Sequence, residues 1–196
     1  MILLLRYLAN LFDTPQSRGK FGEMITASIF NDVYFGKEEH YLVNDLYFRT
    51  DDGVTHQIDH VAIYKTGIFC IETKYIDGLI LGHPNAENWK VYIGRTPYDL
   101  YNPLWQNKGH VHVLSDFLGN KYKIHSIVVF AKGNKPKDCG GEVVNVHELK
   151  DYIKNFPCDE PLLSEEMQEI YALLTNVKEN NEISKQEHIS NVQNNK

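Results

Sequence analysis

The sequence predicts one α/β domain built on a mixed β-sheet that is flanked by helices and followed by a polar tail. Three observations support this fold class: two apolar strands joined by a short turn at 57–74, a continuous apolar run at 124–131, and helical patterns before, between and after them. The chain has 196 residues, of which 42% are hydrophobic and 23% charged, as in an ordinary globular domain.

Region 1–18 is expected to be an N-terminal apolar helix, MILLLRYLANLF, followed by the polar linker DTPQSRGK. Arg6 interrupts the apolar run, which is far shorter than the about 20 residues needed to cross a bilayer. No transmembrane segment is predicted. The N-terminal helix either packs on the domain or docks on a membrane surface. Three widely spaced cysteines indicate reduced thiols, so a cytoplasmic protein is expected.

Region 19–156 is the predicted folded domain. Its first helix lies in GKFGEMITASIF, where apolar residues at 21, 25 and 29 share one helical face, and HYLVNDLYF (40–48) alternates as a half-buried strand does. The hairpin of 57–74 follows, and WKVYIG (89–94) is a further strand. These elements place a β-rich half before the second helix.

The second helix has clear boundaries, with Asn102 as N-cap, Pro103 at the first helical position and Gly119 as the stop. IHSIVVFA (124–131) is suited to a central strand, GEVVNV to a short strand and HELKDYI to a short helix. Region 157–178 contains an acidic amphipathic helix, SEEMQEIYALLTNV, and region 179–196 is a polar tail that is expected to be disordered.

The hairpin QIDHVAIYKTGIFCIETK (57–74) carries three charged residues within apolar strands: Asp59, Glu72 and Lys74. Such groups are rarely buried unless they are paired or bound to a metal, because the loss of hydration is costly. They therefore either lie on a solvated face or form a site.

The length of the hairpin loop decides whether Asp59, Glu72 and Lys74 can form a site. If Lys65 and Thr66 form a two-residue loop, Asp59 lies opposite Glu72 on one face, with Cβ atoms about 5 Å apart. Glu72 and Lys74 share that face because side chains alternate along a strand. A three-residue loop would instead turn Asp59 to the other face unless a bulge restored the register.

Two adjacent carboxylates repel each other unless a positive charge lies between them. Mg²⁺ prefers oxygen ligands and commonly takes one or two carboxylates plus phosphate and water. The pattern thus fits Asp59 and Glu72 as ligands of Mg²⁺, for which Mn²⁺ is expected to substitute, with Lys74 stabilising the charged transition state of phosphodiester hydrolysis. The alternative is a structural salt bridge between Lys74 and one of the acids.

Several motifs occur in an order that resembles a known family. GKFGE on the first helix, then QIDHVAI, GIFCIETK, a tryptophan at position 89 and NPLWQN are together similar to the NERD (nuclease-related) domain, from about Gly19 to about Ala131. That family belongs to the PD-(D/E)XK nuclease group, so the resemblance implies a restriction-endonuclease-like mixed sheet.

The resemblance also implies roles for individual residues. Asp59 and Glu72 correspond to metal ligands and Lys74 to the catalytic lysine, while Glu23 matches an acid on the first helix that binds a second metal or orients a ligand. Gln106 corresponds to a glutamine near the active site, after Asn-Pro. The alternatives are a solvated first-turn acid for Glu23 and an ordinary polar residue for Gln106.

Other conspicuous residues have simpler explanations. His60 alternates to the face opposite Asp59, so a core or surface histidine is expected, and Asn102 is explained as a helix cap. Trp89 is expected to be a core residue, and stacking of its ring on a nucleic-acid base is the alternative. The histidines of HVH at 110–112 match no structural zinc spacing.

The predicted function is that of a Mg²⁺-dependent nuclease acting on nucleic acid, with DNA rather than RNA as the expected substrate. Of the net charge of −6, residues 157–196 contribute −5 (eight acids and three lysines), which leaves −1 on residues 1–156. A near-neutral body binds a polyanion through a local patch or a metal and not through its overall field. The alternative is a non-catalytic binding or regulatory module. A homodimer and a protein partner at the acidic C-terminal segment are further expectations.

Overall fold

The computed structural model describes residues 14–51 and 53–179. Within these residues the strands are β1 (His40–Arg49), β2 (Thr55–Tyr64), β3 (Gly67–Tyr75), β4 (Leu79–Leu81), β5 (Asn88–Ile93), β6 (Thr96–Tyr101), β7 (Ile124–Lys132) and β8 (Val143–Asn145). The helices are α1 (Pro15–Ser28), α2 (Pro103–Phe117), α3 (Leu149–Lys154), which follows a 3₁₀ turn at Val146–Glu148, and α4 (Ser164–Glu179).

The main sheet has five strands in the order β1-β2-β3-β7-β8. Strands β1, β2 and β3 are antiparallel, whereas β3, β7 and β8 run parallel. The parallel pair β3–β7 is connected through the segment that contains α2, as a crossover requires. This mixed sheet flanked by helices confirms the predicted fold class.

A second, three-stranded antiparallel sheet in the order β4-β5-β6 lies between β3 and α2 in the chain. Only β5 was expected from the sequence. Trp89 on β5 is fully buried and belongs to a core cluster that joins this small sheet to β7 and β8. The small sheet therefore packs on the main body.

The main sheet buries apolar side chains on both faces. One cluster joins Val61, Ile68 and Cys70 to α2 and to α4, whose buried residues include Ile170 and Leu174. The cluster on the other face packs against α3 and against the aromatic residues that follow α1. The apolar face of α4 is thus used by the domain itself, so a partner at this helix would meet its acidic surface.

Helix α1 begins earlier than its sequence predicts. Thr14 caps it by accepting a hydrogen bond from the N–H of Ser17, and Pro15 occupies the first turn. The segment DTPQSRGK is therefore largely helical instead of a linker, and Gly19 and Gly22 lie inside the helix. The predicted N-terminal helix (1–12) lies outside the described residues, as does the predicted tail (179–196) apart from Glu179, which is the last residue of α4.

The boundaries of α2 agree with the prediction. Asn102 accepts a hydrogen bond from the N–H of Leu104 at 2.9 Å, and its amide donates to the carbonyls of Pro84 and Ala86. None of the helices in the described ranges is long and apolar enough to cross a membrane.

Candidate active site

The β2–β3 hairpin has the two-residue loop on which the predicted site depends. Tyr64 pairs with Gly67 across Lys65 and Thr66, and the antiparallel pairs continue to His60 and Ile71. The three-residue alternative is thereby excluded. The register places Asp59 next to the end of this ladder, one residue before the last paired position.

The β2–β3 pairing ends at His60. Beyond it, the carboxylate of Asp59, instead of a backbone carbonyl of β2, accepts a hydrogen bond from β3. Its Oδ2 accepts a hydrogen bond of 2.8 Å from the N–H of Thr73. The alternation of faces also breaks here, because Ile58 and Val61 belong to the same core cluster although they are three positions apart and would face opposite sides of a regular strand. This break directs the carboxylate of Asp59 toward β3, where the charge of Glu72 acts on it.

The irregularity is shared by β1. Asp45 has a left-handed backbone with φ of 61° and lies between the paired positions Asn44–His60 and Leu46–Ile58. A non-glycine residue in this region is uncommon, and such residues concentrate at functional sites. Both strands are therefore irregular beside the site, at Asp45 and Asp59.

Glu72 is the most enclosed acid of the group, with 3% of its surface exposed. Its Oε1 accepts a 2.6 Å hydrogen bond from Lys74 Nζ, and its Oε2 lies 3.4 Å from His110 Nδ1. Burial acts to raise the pKa of Glu72, but the ammonium group of Lys74 and the ring of His110 outweigh it and lower the pKa to about 2. Glu72 is therefore a carboxylate at neutral pH.

Lys74 is held by two acceptors. Besides Glu72, its Nζ donates to Gln106 Oε1 at 3.0 Å. Burial acts to lower the pKa of Lys74, but the charges of Glu72 and Asp59 raise it above its usual value. The amine is therefore protonated, which suits it to stabilising negative charge and excludes it as a general base at neutral pH.

Asp59 experiences the opposite balance. Burial raises its pKa well above the usual value, and the charges of Glu72 and then Glu23 raise it further. Its hydrogen bond from Thr73 and the charge of Lys74 only partly offset these effects. The buried Glu72 and the half-buried Asp59 share one lysine here, so Asp59 needs either a proton or a further cation.

Glu23 approaches the same site from α1. Gly22 allows this approach, since a Cβ at that position would lie 2.7 Å from the Cβ of Tyr75 on β3. Burial raises the pKa of Glu23, and the charges of Asp45 and Glu72 raise it further. The charge of Lys20 lowers it only in part. Because α1 starts at Pro15, Glu23 lies in the interior of the helix and the solvated first-turn alternative does not apply.

Helix α2 presents Gln106 to Lys74 because the next residue, Asn107, anchors the helix on the sheet. Its buried amide group donates to the carbonyls of Cys70 and Ile127 at 2.9 and 3.2 Å and to Ser126 Oγ at 2.9 Å. Cys70 and Ile127 belong to the neighbouring parallel strands β3 and β7. Asn107 thus fixes the helix relative to the strand that carries Glu72.

His110 was missed as a site residue. It lies four residues after Gln106, so both side chains share one face of α2, and it is 6% exposed. Glu72 Oε2 and His110 Nδ1 make no hydrogen bond within the described part of the chain. The i, i+4 spacing from Gln106 was the available signal.

Residues 18–131 match the nuclease-related domain (NERD) family. The chain belongs to the NERD family. An uncharacterized protein of Bacillus anthracis is 29% identical over 167 residues, which cover 80% of this chain and 75% of that protein. Among solved structures, the small subunit of a heterodimeric restriction endonuclease is similar at 14% identity with a TM-score of 0.35, covering 92% of this chain and 99% of that one.

The donor set of this NERD site fits a hard divalent cation in part. Two carboxylates converge, Glu72 Oε2 is buried without a hydrogen bond in the described ranges, and a cation would relieve the repulsion that raises the pKa of Asp59. However, no group of three or more His, Cys, Asp or Glu residues within 14–51 and 53–179 is arranged to hold a metal ion. Water, phosphate or other oxygen atoms would have to complete the coordination.

The discounted residues behave as core or capping groups. His60 is 2% exposed, its Nδ1 lies 2.8 Å from Asn44 Oδ1, and burial lowers its pKa to about 4, so it is neutral. Trp89 is fully buried and cannot stack on a base. At the end of β7, Lys132 pairs with Asp77, and in the loop that follows Lys135 pairs with Glu148.

Proposed function

We propose that this protein is a Mg²⁺-dependent nuclease that hydrolyses phosphodiester bonds, in DNA rather than RNA. The observation that carries the proposal is the convergence of Asp59, Glu72 and a protonated Lys74 at the carboxyl end of β3. Membership of the nuclease-related domain family supports the same chemistry.

Asp59 and Glu72 would hold the metal ion, and Mn²⁺ would substitute for Mg²⁺. When bound, such an ion polarises a phosphoryl oxygen and lowers the pKa of a coordinated water. Both carboxylates would bind the ion in the deprotonated form, and a bound cation would offset the neighbouring charges that raise the pKa of Asp59.

Lys74 would place its ammonium group against the negative charge that develops on the phosphoryl oxygens while water attacks phosphorus and the P–O bond to the leaving sugar breaks. Gln106 is a positioning residue that holds Lys74 through its 3.0 Å contact. Glu23 would orient the attacking water or a second ion from the α1 side.

The test is cleavage of single- and double-stranded DNA by the purified full chain with Mg²⁺ or Mn²⁺, compared with Lys74→Ala. We expect Lys74→Ala to lose about 10²–10³-fold in rate, as when one preorganised electrostatic group is removed. Lys90→Ala is the matched control, because Lys90 is exposed on the small sheet and pairs with Asp99.

Thermal unfolding of both variants separates a catalytic defect from unfolding. Cleavage by a folded Lys74→Ala variant at the wild-type rate would overturn the assignment. A wild-type protein that binds DNA without cleaving it, in either metal, would favour the non-catalytic alternative.

A further inference from the structure

A groove with a volume of about 570 Å³ opens beside the carboxyl end of β3, between α1 and the small sheet. It lies outside the carboxylate–lysine group described above. The residues that shape it include two tyrosines, two cations and one acid: Tyr75, Tyr98, Arg18, Lys132 and Asp77.

The small-sheet wall of the groove carries exposed aromatic and aliphatic groups. Tyr98 pairs with the buried Val91, so its side chain is on the inner face of the sheet, yet it is 46% exposed because β6 is an edge strand. Ile93 beside it is 53% exposed. Adjacent exposed rings and aliphatic groups in a concave site indicate a flat, partly apolar ligand.

The opposite wall is cationic. Lys132 Nζ pairs with Asp77 at 2.7 Å and lies 5.4 Å from the ring centre of Tyr75, while Arg18 comes from the first turns of α1. The Lys132–Asp77 pair is 41% and 70% exposed at its two side chains. An exposed pair of this kind is weak, so an anionic oxygen can replace Asp77 as the partner of Lys132.

The groove lies next to the proposed active site, because consecutive residues of β3 belong to the two. Tyr75 follows Lys74 directly, and the β3–β7 register shifts between these two residues. Lys74 turns to Gln106 on α2, whereas Tyr75 packs against Phe21 on α1 with ring centres 5.6 Å apart. A polymer that crosses the end of β3 would therefore meet the reactive group on one side and the groove on the other.

We propose that this groove binds one nucleotide of a single nucleic-acid strand, with the base against Tyr98 and Ile93 and a phosphate at Lys132 and Arg18. The inference rests on the proposed nuclease function, because it places this nucleotide next to the phosphate that is cleaved. Stacking on an aromatic side chain tolerates any base, so the groove would favour unpaired strands without selecting a sequence.

The test measures binding of a short fluorescent oligodeoxythymidylate to the full chain by anisotropy, in EDTA and in Ca²⁺. Tyr98→Ala is expected to weaken binding about 5- to 150-fold, the range for losing one base–aromatic stack. Tyr101→Ala is the matched control, because Tyr101 is 50% exposed on the same strand but three residues away and therefore on the opposite face.

Lys132→Ala supplies a second measurement that does not depend on the aromatic wall. The dependence of log K on log salt should become shallower by about 0.7, the contribution of one phosphate contact with a single strand. An oligouridylate arm distinguishes RNA from DNA as the source of the nucleotide. Equal binding by Tyr98→Ala and Tyr101→Ala, with an unchanged salt slope for Lys132→Ala, would overturn the inference.

The binding assay separates this inference from the proposed function. If Tyr98→Ala loses binding while the wild type fails to cleave with Mg²⁺, the groove stands and the nuclease proposal fails. If the wild type cleaves and Tyr98→Ala binds and cleaves like Tyr101→Ala, the nuclease proposal stands and the groove assignment fails.

Discussion

Replacing Gly22 with alanine tests the close packing of α1 on β3 that brings Glu23 to the site. A Cβ at Gly22 would lie 2.7 Å from the Cβ of Tyr75 and 3.4 Å from Thr73 Cγ2. The Cβ of Tyr75 is fixed to the strand backbone, so rotating a side chain cannot relieve the contact and the helix must move. Gly19 is the matched control, since a Cβ there meets nothing within 4 Å.

The size of the effect follows from two terms. Alanine in place of glycine inside a helix stabilises by about 0.5–1 kcal/mol, whereas overpacking costs about 1–3 kcal/mol. Gly19→Ala should therefore be about 0.5–1 kcal/mol more stable than wild type, because it gains helix propensity without overpacking. Gly22→Ala should be about 1 kcal/mol less stable, which lowers the melting temperature by about 2–4 °C for a chain of this size.

Urea unfolding followed by circular dichroism measures both variants, and the slope of the transition checks that the unfolded states remain comparable. The two variants should differ by about 1–3 kcal/mol, with opposite signs relative to wild type. If Gly22→Ala gained as much stability as Gly19→Ala, the contact between α1 and β3 would be looser than described, and the placement of Glu23 would lose its support.

Three other substitutions test separate parts of the account. Asp59→Asn should unfold at a higher temperature than wild type in EDTA and lose cleavage, because it removes a buried carboxylate whose pKa is raised by burial and by neighbouring acids; a less stable variant would contradict this. Asn107→Ala should cost about 2–4 kcal/mol in urea unfolding because buried acceptors lose their donor; a cost near zero would show that α2 is not anchored there. Hydrogen bonds from Lys154 and Lys65 lower the pKa of Glu38 from 4.5 to about 2, so the stability advantage of wild type over Glu38→Gln should be complete above about pH 4.5 and be lost as the pH falls through about 2. An advantage that was still complete at pH 2 would exclude this origin.

Local patterns predicted the elements that carry strong periodicity or clear caps. The cap of α2 at Asn102 and the strand at 124–131 depend on neighbouring residues, so the sequence was sufficient for them. The hairpin at 57–74 was also predicted, but the choice between a two-residue and a three-residue loop came from the structure. The start of α1 was missed because Thr14 and Pro15 sit in a polar stretch with no apolar alternation. Strand β4 was missed because it has only three residues, and β6 because it is largely exposed.

The candidate site was harder to predict because it depends on contacts between distant elements. The pairing of Asp59 with the N–H of Thr73 requires strands β2 and β3 to separate at the point where Asp45 adopts a left-handed backbone. Periodicity assumes a regular strand and cannot show such a break. The approach of His110 to Glu72 is likewise set by how α2 lies on the sheet.

The most direct measurement is the anomalous difference map of a crystal soaked with Mn²⁺. We expect one strong peak between the carboxylates of Asp59 and Glu72, with metal–oxygen distances close to those of Mg²⁺, about 2.0–2.1 Å. A saturating soak without a peak at these two residues would contradict it, as would a peak that contacts neither carboxylate.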